Sequence, residues 1–151
     1  MTDLNSVDEI LDFAISEEQA AADFYTGLAG KMDQPALKQI FEGFSKEEMG
    51  HKAKLEAVKG GKKLLSSAAK VADLKIGDYL VDIDTSGDLD YQQALIVAMK
   101  KEKAAFRLYS DLAGKTDDAG VRDLLLGLAQ EEAKHKLRFE VEYDEFVLAE
   151  N

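Results

Sequence analysis

The chain repeats itself. Sliding the sequence by 84 residues lays positions 14–56 over positions 98–140 without a gap, and 16 of these 43 pairs are identical. Among them are Glu18/Glu102, Tyr25/Tyr109, Gly30/Gly114, Glu48/Glu132 and His51/His135. Unrelated segments match at only a few positions, so the two stretches descend from one. Whatever fold one half adopts, the other must adopt as well. Two like substructures related by a pseudo-two-fold axis are the simplest outcome.

Each repeat reads as a helical hairpin. The apolar spacing predicts helices over about Val7–Ala29, Pro35–Lys59, Asp90–Ala113 and Ala119–Ala149. Ser6 is placed to cap the first, with Glu9 completing a capping box. Pro35 suits the first turn of the second helix, and Gly60-Gly61 and Gly114 read as stops. The links at 30–34 and 114–118 are short, which makes the joined helices antiparallel neighbours. A longer crossover, about Gly60 to Leu89, connects the hairpins. It carries a weakly helical stretch, Lys75 to Asp82, and a turn-like stretch, Asp84 to Asp88. Such a crossover can span a bundle end to end, or exchange one hairpin with a second chain. The expected fold is all-α, one domain over residues 1–151. It is a four-helix bundle with one long crossover between duplicated halves, about 7–59 and 90–149.

The apolar seams of these helices contain intruders. The second helix runs Leu37, Phe41, Phe44, Glu48, His51, Leu55, Val58, in alternating steps of three and four. The fourth runs Val121, Leu125, Leu128, Glu132, His135, Phe139. The first runs Leu11, Ala14, Glu18, Ala21, Tyr25, Leu28. The third runs Leu95, Met99, Glu102, Ala105 or Phe106, Tyr109, Ala113. Every helix therefore puts a glutamate in the middle of its core face. The chain's two histidines, His51 and His135, each stand three residues after one of them.

Four buried carboxylates are costly unless something compensates them. Two divalent cations balance four negative charges, and two neutral imidazoles complete a ligand set. Glu-x-x-His places both side chains on one helical face, one turn apart. One Glu from each of two helices, with Glu-x-x-His from each of the other two, is the ligand pattern of helical di-iron carboxylate sites. A lone Glu-x-x-His in a charged helix arises by chance. Here it occurs twice in register, on the seam, beside an intruding glutamate. Mixed carboxylate and imidazole ligands suit iron, manganese or zinc. Glu47 and Glu131 fall one position off the seam and read as surface groups or as partners behind the ligands. Tyr25 and Tyr109 lie two turns beyond Glu18 and Glu102. They read as core packing, or as hydroxyl donors behind a metal-bound carboxylate. Phe24, Phe41, Phe44, Phe106, Leu128 and Phe139 are expected in the core.

Composition narrows the function. A net charge of −11 opposes nucleic-acid or anionic membrane binding. The chain has no cysteine, which excludes disulfides, iron–sulfur clusters and a thiol nucleophile. The N-terminal residues lack the basic-then-apolar layout of a signal peptide, and the longest apolar run, Ala94–Met99, is far too short to span a bilayer. A cytoplasmic location is expected.

Glu18 with Tyr25, Glu48-Met-Gly-His51, Glu102 with Tyr109, and Glu132-Ala-Lys-His135 resemble the rubrerythrin branch of the ferritin-like superfamily. The resemblance covers nearly the whole chain. It implies a ferritin-like bundle with two irons held by Glu18, Glu48, His51, Glu102, Glu132 and His135. It also implies reduction of hydrogen peroxide, since members use di-iron sites this way, and some oxidise Fe(II) or react with dioxygen. Two features depart from the family. Rubrerythrins proper carry a four-cysteine rubredoxin domain that delivers electrons; here the donor must be external, such as a rubredoxin-like protein. They also carry an extra glutamate one turn after the third-helix ligand, where this chain has Ala105. The leading expectation is a di-iron peroxidase. The alternatives are an iron-handling protein that oxidises Fe(II) with dioxygen, which Ala105 slightly favours, and a redox-silent bundle stapled by its metals. A homodimer is expected from the resemblance and the swappable crossover.

Overall fold

The computed structural model describes residues 7–61, 90–116 and 118–150. Ser6, the expected first cap, and positions 62–89 of the expected crossover, with its two marked stretches, lie outside them. Among the described residues the secondary structure is four helices: α1 (Val7–Lys31), α2 (Pro35–Gly61), α3 (Tyr91–Ala113) and α4 (Ala119–Glu150). They fall into two compact units. One contains α1 and α2, and the other contains α3 and α4 from Arg122 onward.

In the first unit a three-residue link, Met32 to Gln34, reverses the chain. Met32 N–H donates to the Ala29 carbonyl, and Lys38 N–H to the Gln34 carbonyl, so Pro35 opens α2 where its missing N–H costs nothing. Polar pairs then mark an antiparallel register. Thr26 meets Ser45 at 2.8 Å, Gln19 meets Lys52 at 2.7 Å, and Asp12 meets Lys59. The numbers advance by seven along α1 as they retreat by seven along α2. That is two helical turns per step, the repeat that keeps one seam facing its partner. Ser45 also donates to the Ala22 carbonyl at 2.9 Å, so Thr26 is left to donate to Ser45. Beneath this row lie Leu11, Ala14, Tyr25, Leu28, Phe41, Phe44, Leu55 and Val58, all buried. Each large apolar side chain so buried contributes about 1.5–3 kcal/mol. α2 runs through Gly60 and Gly61. The expected stop there is therefore two residues early, since glycine is tolerated in a final turn.

In the second unit Asp90 caps α3. Its side chain accepts from the Gln93 N–H at 2.7 Å, and the Gln93 side chain accepts from the Asp90 N–H at 3.0 Å. This reciprocal capping box was present in the sequence as Asp-x-x-Gln. α3 ends at Gly114, whose φ of −73° is right-handed, so the stop needs no special glycine conformation. At the opening of α4, Asp118 accepts from the Val121 N–H at 3.0 Å. The far end of α4 is held to the start of α3. Tyr91 donates to Glu142 at 3.3 Å, Gln92 donates to Tyr143 at 3.2 Å, and the Tyr91 and Phe146 rings meet edge-on at 5.2 Å.

One core expectation fails. Phe106 is 40% exposed. The buried face of α3 runs through Ala94, Leu95, Val97, Ala98, Glu102, Leu108, Tyr109 and Leu112. That face is turned toward Leu108 and away from Phe106, which leaves Phe106 and half-buried Met99 at its outer edge. Phe24 is likewise only half-buried.

Asp90→Ala removes one arm of the capping box and is expected to cost about 1 kcal/mol. Denaturant unfolding measures the loss, and amide exchange should accelerate first at Gln93. Burial, reinforced by the Glu142 carboxylate, raises the Tyr91 hydroxyl to about 12. The unfolded chain ionises this tyrosine near 10, so its contribution is intact below pH 10 and fades as pH rises toward 12. A difference titration at 295 nm between the parent and Tyr91→Phe should show the missing tyrosine ionising late.

Candidate metal centre

Each unit buries two carboxylates and one imidazole. In the first, α1 supplies Glu18 and α2 supplies Glu48 and His51. In the second, α3 supplies Glu102 and α4 supplies Glu132 and His135. All six residues are at most 4% exposed. The expected ligand residues are thus brought inward on every helix, although none belongs in an apolar seam on hydropathy grounds. Glu47 is exposed and Glu131 half-buried, with Lys134 at 3.5 Å from Glu131, in keeping with their off-seam register.

The distances within these clusters suit a shared cation. His51 Nδ1 lies 3.6 Å from Glu18 Oε2 and 3.5 Å from Glu48 Oε1. His135 Nδ1 lies 3.5 Å from Glu102 Oε2. A charge-assisted hydrogen bond closes to about 2.7–2.9 Å. Two ligand atoms that share a metal at about 2.1 Å stand roughly 3.0–3.5 Å apart. The observed spacing matches convergence on a third atom better than it matches direct bonding. Glu18, Glu48 and His51 each present a ligand atom within 4.8 Å of the others, and so do Glu102, Glu132 and His135.

The donor set fits a divalent cation in each unit. Two carboxylates and a neutral imidazole become electrically neutral on binding M²⁺, which removes the cost of burying like charges together. Three protein ligands leave further coordination positions open for small oxygen ligands. Oxygen and imidazole donors suit iron, manganese or zinc.

The walls of the two clusters differ. Tyr25 is fully buried and packs against Phe24, Phe41 and Phe44, with ring centroids 5.6, 6.5 and 5.9 Å away. Tyr109 is equally buried, but the repeat-equivalent positions around it hold Leu108, Leu125 and Leu128. Both tyrosines therefore take the core place expected of them. One contact beside the site was not anticipated. Lys52, next to His51, donates to Gln19, next to Glu18, at 2.7 Å. Its repeat partner Lys136 turns instead to Glu140 on its own helix, at 3.2 Å. The only sequence signal was the Lys52/Lys136 identity, which says nothing about the acceptor.

Comparison with known proteins agrees with this arrangement. No curated protein matches the chain significantly. A crystal structure from Thermotoga maritima, of a protein assigned as ferritin-like and diiron-carboxylate, has 20% identity and a TM-score of 0.79. The match covers 96% of this chain and 99% of that one. A hypothetical protein of Pyrococcus furiosus has 26% identity and a TM-score of 0.73, over 92% of this chain and 89% of that one. The fold is thus ferritin-like, in the class of four-helix bundles. The family model for rubrerythrin matches residues 9–143, and the chain belongs to the rubrerythrin family.

Proposed function

We propose that this chain is a non-haem di-iron oxidoreductase that reduces hydrogen peroxide with electrons from an external donor. The observation that carries the reading is the buried pair of carboxylates around one histidine, present in both units at non-bonding distances. In this reading residues 1–151 act as one domain, and the six side chains are the ligands of two metals. His51 and His135 would each hold one metal, with carboxylates drawn from Glu18, Glu48, Glu102 and Glu132. When bound, a pair of Fe(II) ions supplies the two electrons that split the O–O bond.

The chain's own residues have three tasks. The six side chains would hold the metals and leave coordination positions for substrate oxygens. Phe44, Leu128 and Phe139 are buried one turn from a ligand on their own helices, and with buried Phe41 they supply apolar surface that limits water. Tyr25 and Tyr109 are buried phenols two turns beyond Glu18 and Glu102, placed to pack the core and to donate to a metal-bound carboxylate. Iron is the native metal in this reading, and manganese or zinc can occupy the same donors in the isolated protein.

A second reading is favoured by Ala105. It lies one turn after Glu102, is half-buried and supplies no carboxylate. A site without that extra ligand suits an iron-handling protein that oxidises Fe(II) with dioxygen.

Two experiments separate these readings and test the ligand set. Anaerobic protein loaded with two Fe(II) should oxidise much faster with hydrogen peroxide than with air-saturated buffer, followed by the absorbance of the oxidised iron. Equal or faster oxidation by dioxygen would shift the assignment to iron handling. Glu48→Ala or Glu132→Ala should lower metal stoichiometry below two per chain, measured by elemental analysis, with the helical circular dichroism unchanged. Retention of two metals would remove these glutamates from the ligand set.

A further inference from the structure

The two repeats diverge on one exposed face of α3. Lys100, Lys103 and Arg107 are exposed and follow one another at steps of three and four, so they form a single stripe along the outside of the helix. Phe106, 40% exposed, borders the stripe. The positions they match in α1 are Ser16, Gln19, Ala22 and Asp23. Neutral, small and acidic residues in one repeat are thus cationic and aromatic in the other. The change is not a general feature of the surface. α1 carries six acidic residues and one lysine, whereas α3 carries four basic residues and two acidic ones, in a chain of net charge −11.

Other cations of the same unit are engaged by neighbouring carboxylates. Lys134 pairs with Glu131, Lys136 with Glu140, and Arg138 with Glu142. Lys100, Lys103 and Arg107 make no such pair among the described residues. Their charge is available to a partner. An exposed aromatic beside arginine and lysine has the composition of a small, transient docking patch. A long polyanion would meet the acidic remainder of the molecule, so the stripe suits a compact acidic partner. Phe106 lies one turn after Glu102 on α3, so the stripe borders the side of the helix that carries Glu102.

We propose that the Lys100–Lys103–Phe106–Arg107 face docks a small acidic one-electron carrier protein and is where reducing equivalents reach the Glu102 side of the site. The proposal rests on the peroxidase reading. One hydrogen peroxide takes up two electrons and two protons and leaves as two waters. Each reduced carrier yields one electron and departs oxidised, so two docking events serve one turnover. Weak, charge-steered contact suits such repeated exchange, since the carrier must leave between electrons.

The probe is an acidic rubredoxin, used in two forms. Zinc-substituted rubredoxin, which carries no redox activity, is titrated into the isotopically labelled full chain and followed by amide chemical shifts. Reduced iron rubredoxin is mixed with the oxidised iron-loaded protein, and its reoxidation is followed at low ionic strength. Shifts centred on residues 100–107 are expected. Lys100→Glu/Lys103→Glu/Arg107→Glu should slow reoxidation by about tenfold or more and flatten its salt dependence. Lys38→Glu/Lys46→Glu/Lys54→Glu, the same charge change on exposed sites of α2, should slow it by no more than about threefold. Shifts elsewhere, no shifts, or equal loss in both variants would overturn the docking face. So would binding of phosphatidylserine vesicles at these residues in preference to the carrier. If the zinc form docks on α3 but peroxide is not turned over, the face stands and the peroxidase reading falls.

Discussion

Burial of carboxylates sets the terms for everything else in this molecule. Glu18, Glu48, Glu102 and Glu132 occupy seam positions that an ordinary helical hairpin fills with leucine. A carboxylate held there without compensation costs several kcal/mol, comparable to the whole stability of a domain of this size. The histidine and carboxylate atoms stand 3.5–3.6 Å apart, longer than a charge-assisted hydrogen bond, so pairing alone compensates weakly. A divalent cation held among them would supply the compensation. Folding energy and metal affinity are then one quantity, because the ligands are assembled only when the helices are.

The hairpins are built to hold that arrangement. The steps of seven that align Asp12, Gln19 and Thr26 with Lys59, Lys52 and Ser45 fix α1 against α2 over most of their length. Glu18 meets His51 because this register permits no slip of a single turn. In the second unit the Asp90 capping box and the Tyr91–Glu142 contact fix the start of α3, and so fix the height at which Glu102 faces His135. Polar contacts at the helix margins thus position ligands several turns away.

Much of this was legible in the sequence, for a physical reason. A glutamate in the middle of an apolar period violates the burial rule, and the same violation in four helices, twice accompanied by histidine, points to a compensating ligand. The helix ends followed from glycine, proline and short links. What escaped was the rotation of α3. Its apolar period admits either Ala105 or Phe106 on the seam, and only packing decides that Leu108 turns inward and Phe106 outward. The Gln19–Lys52 contact escaped too, because long polar side chains choose acceptors by reach and not by periodicity. The duplication located the six buried polar side chains, while Phe106 and Arg107 are differences between the repeats.

The central claim is that two metals sit among these six side chains. An iron-edge anomalous diffraction experiment on crystals grown anaerobically with Fe(II) tests it most directly. Two peaks are expected, one beside His51 and one beside His135, each within bonding distance of glutamate oxygens. A single peak, or iron bound only at the exposed carboxylates such as Glu47, would contradict it.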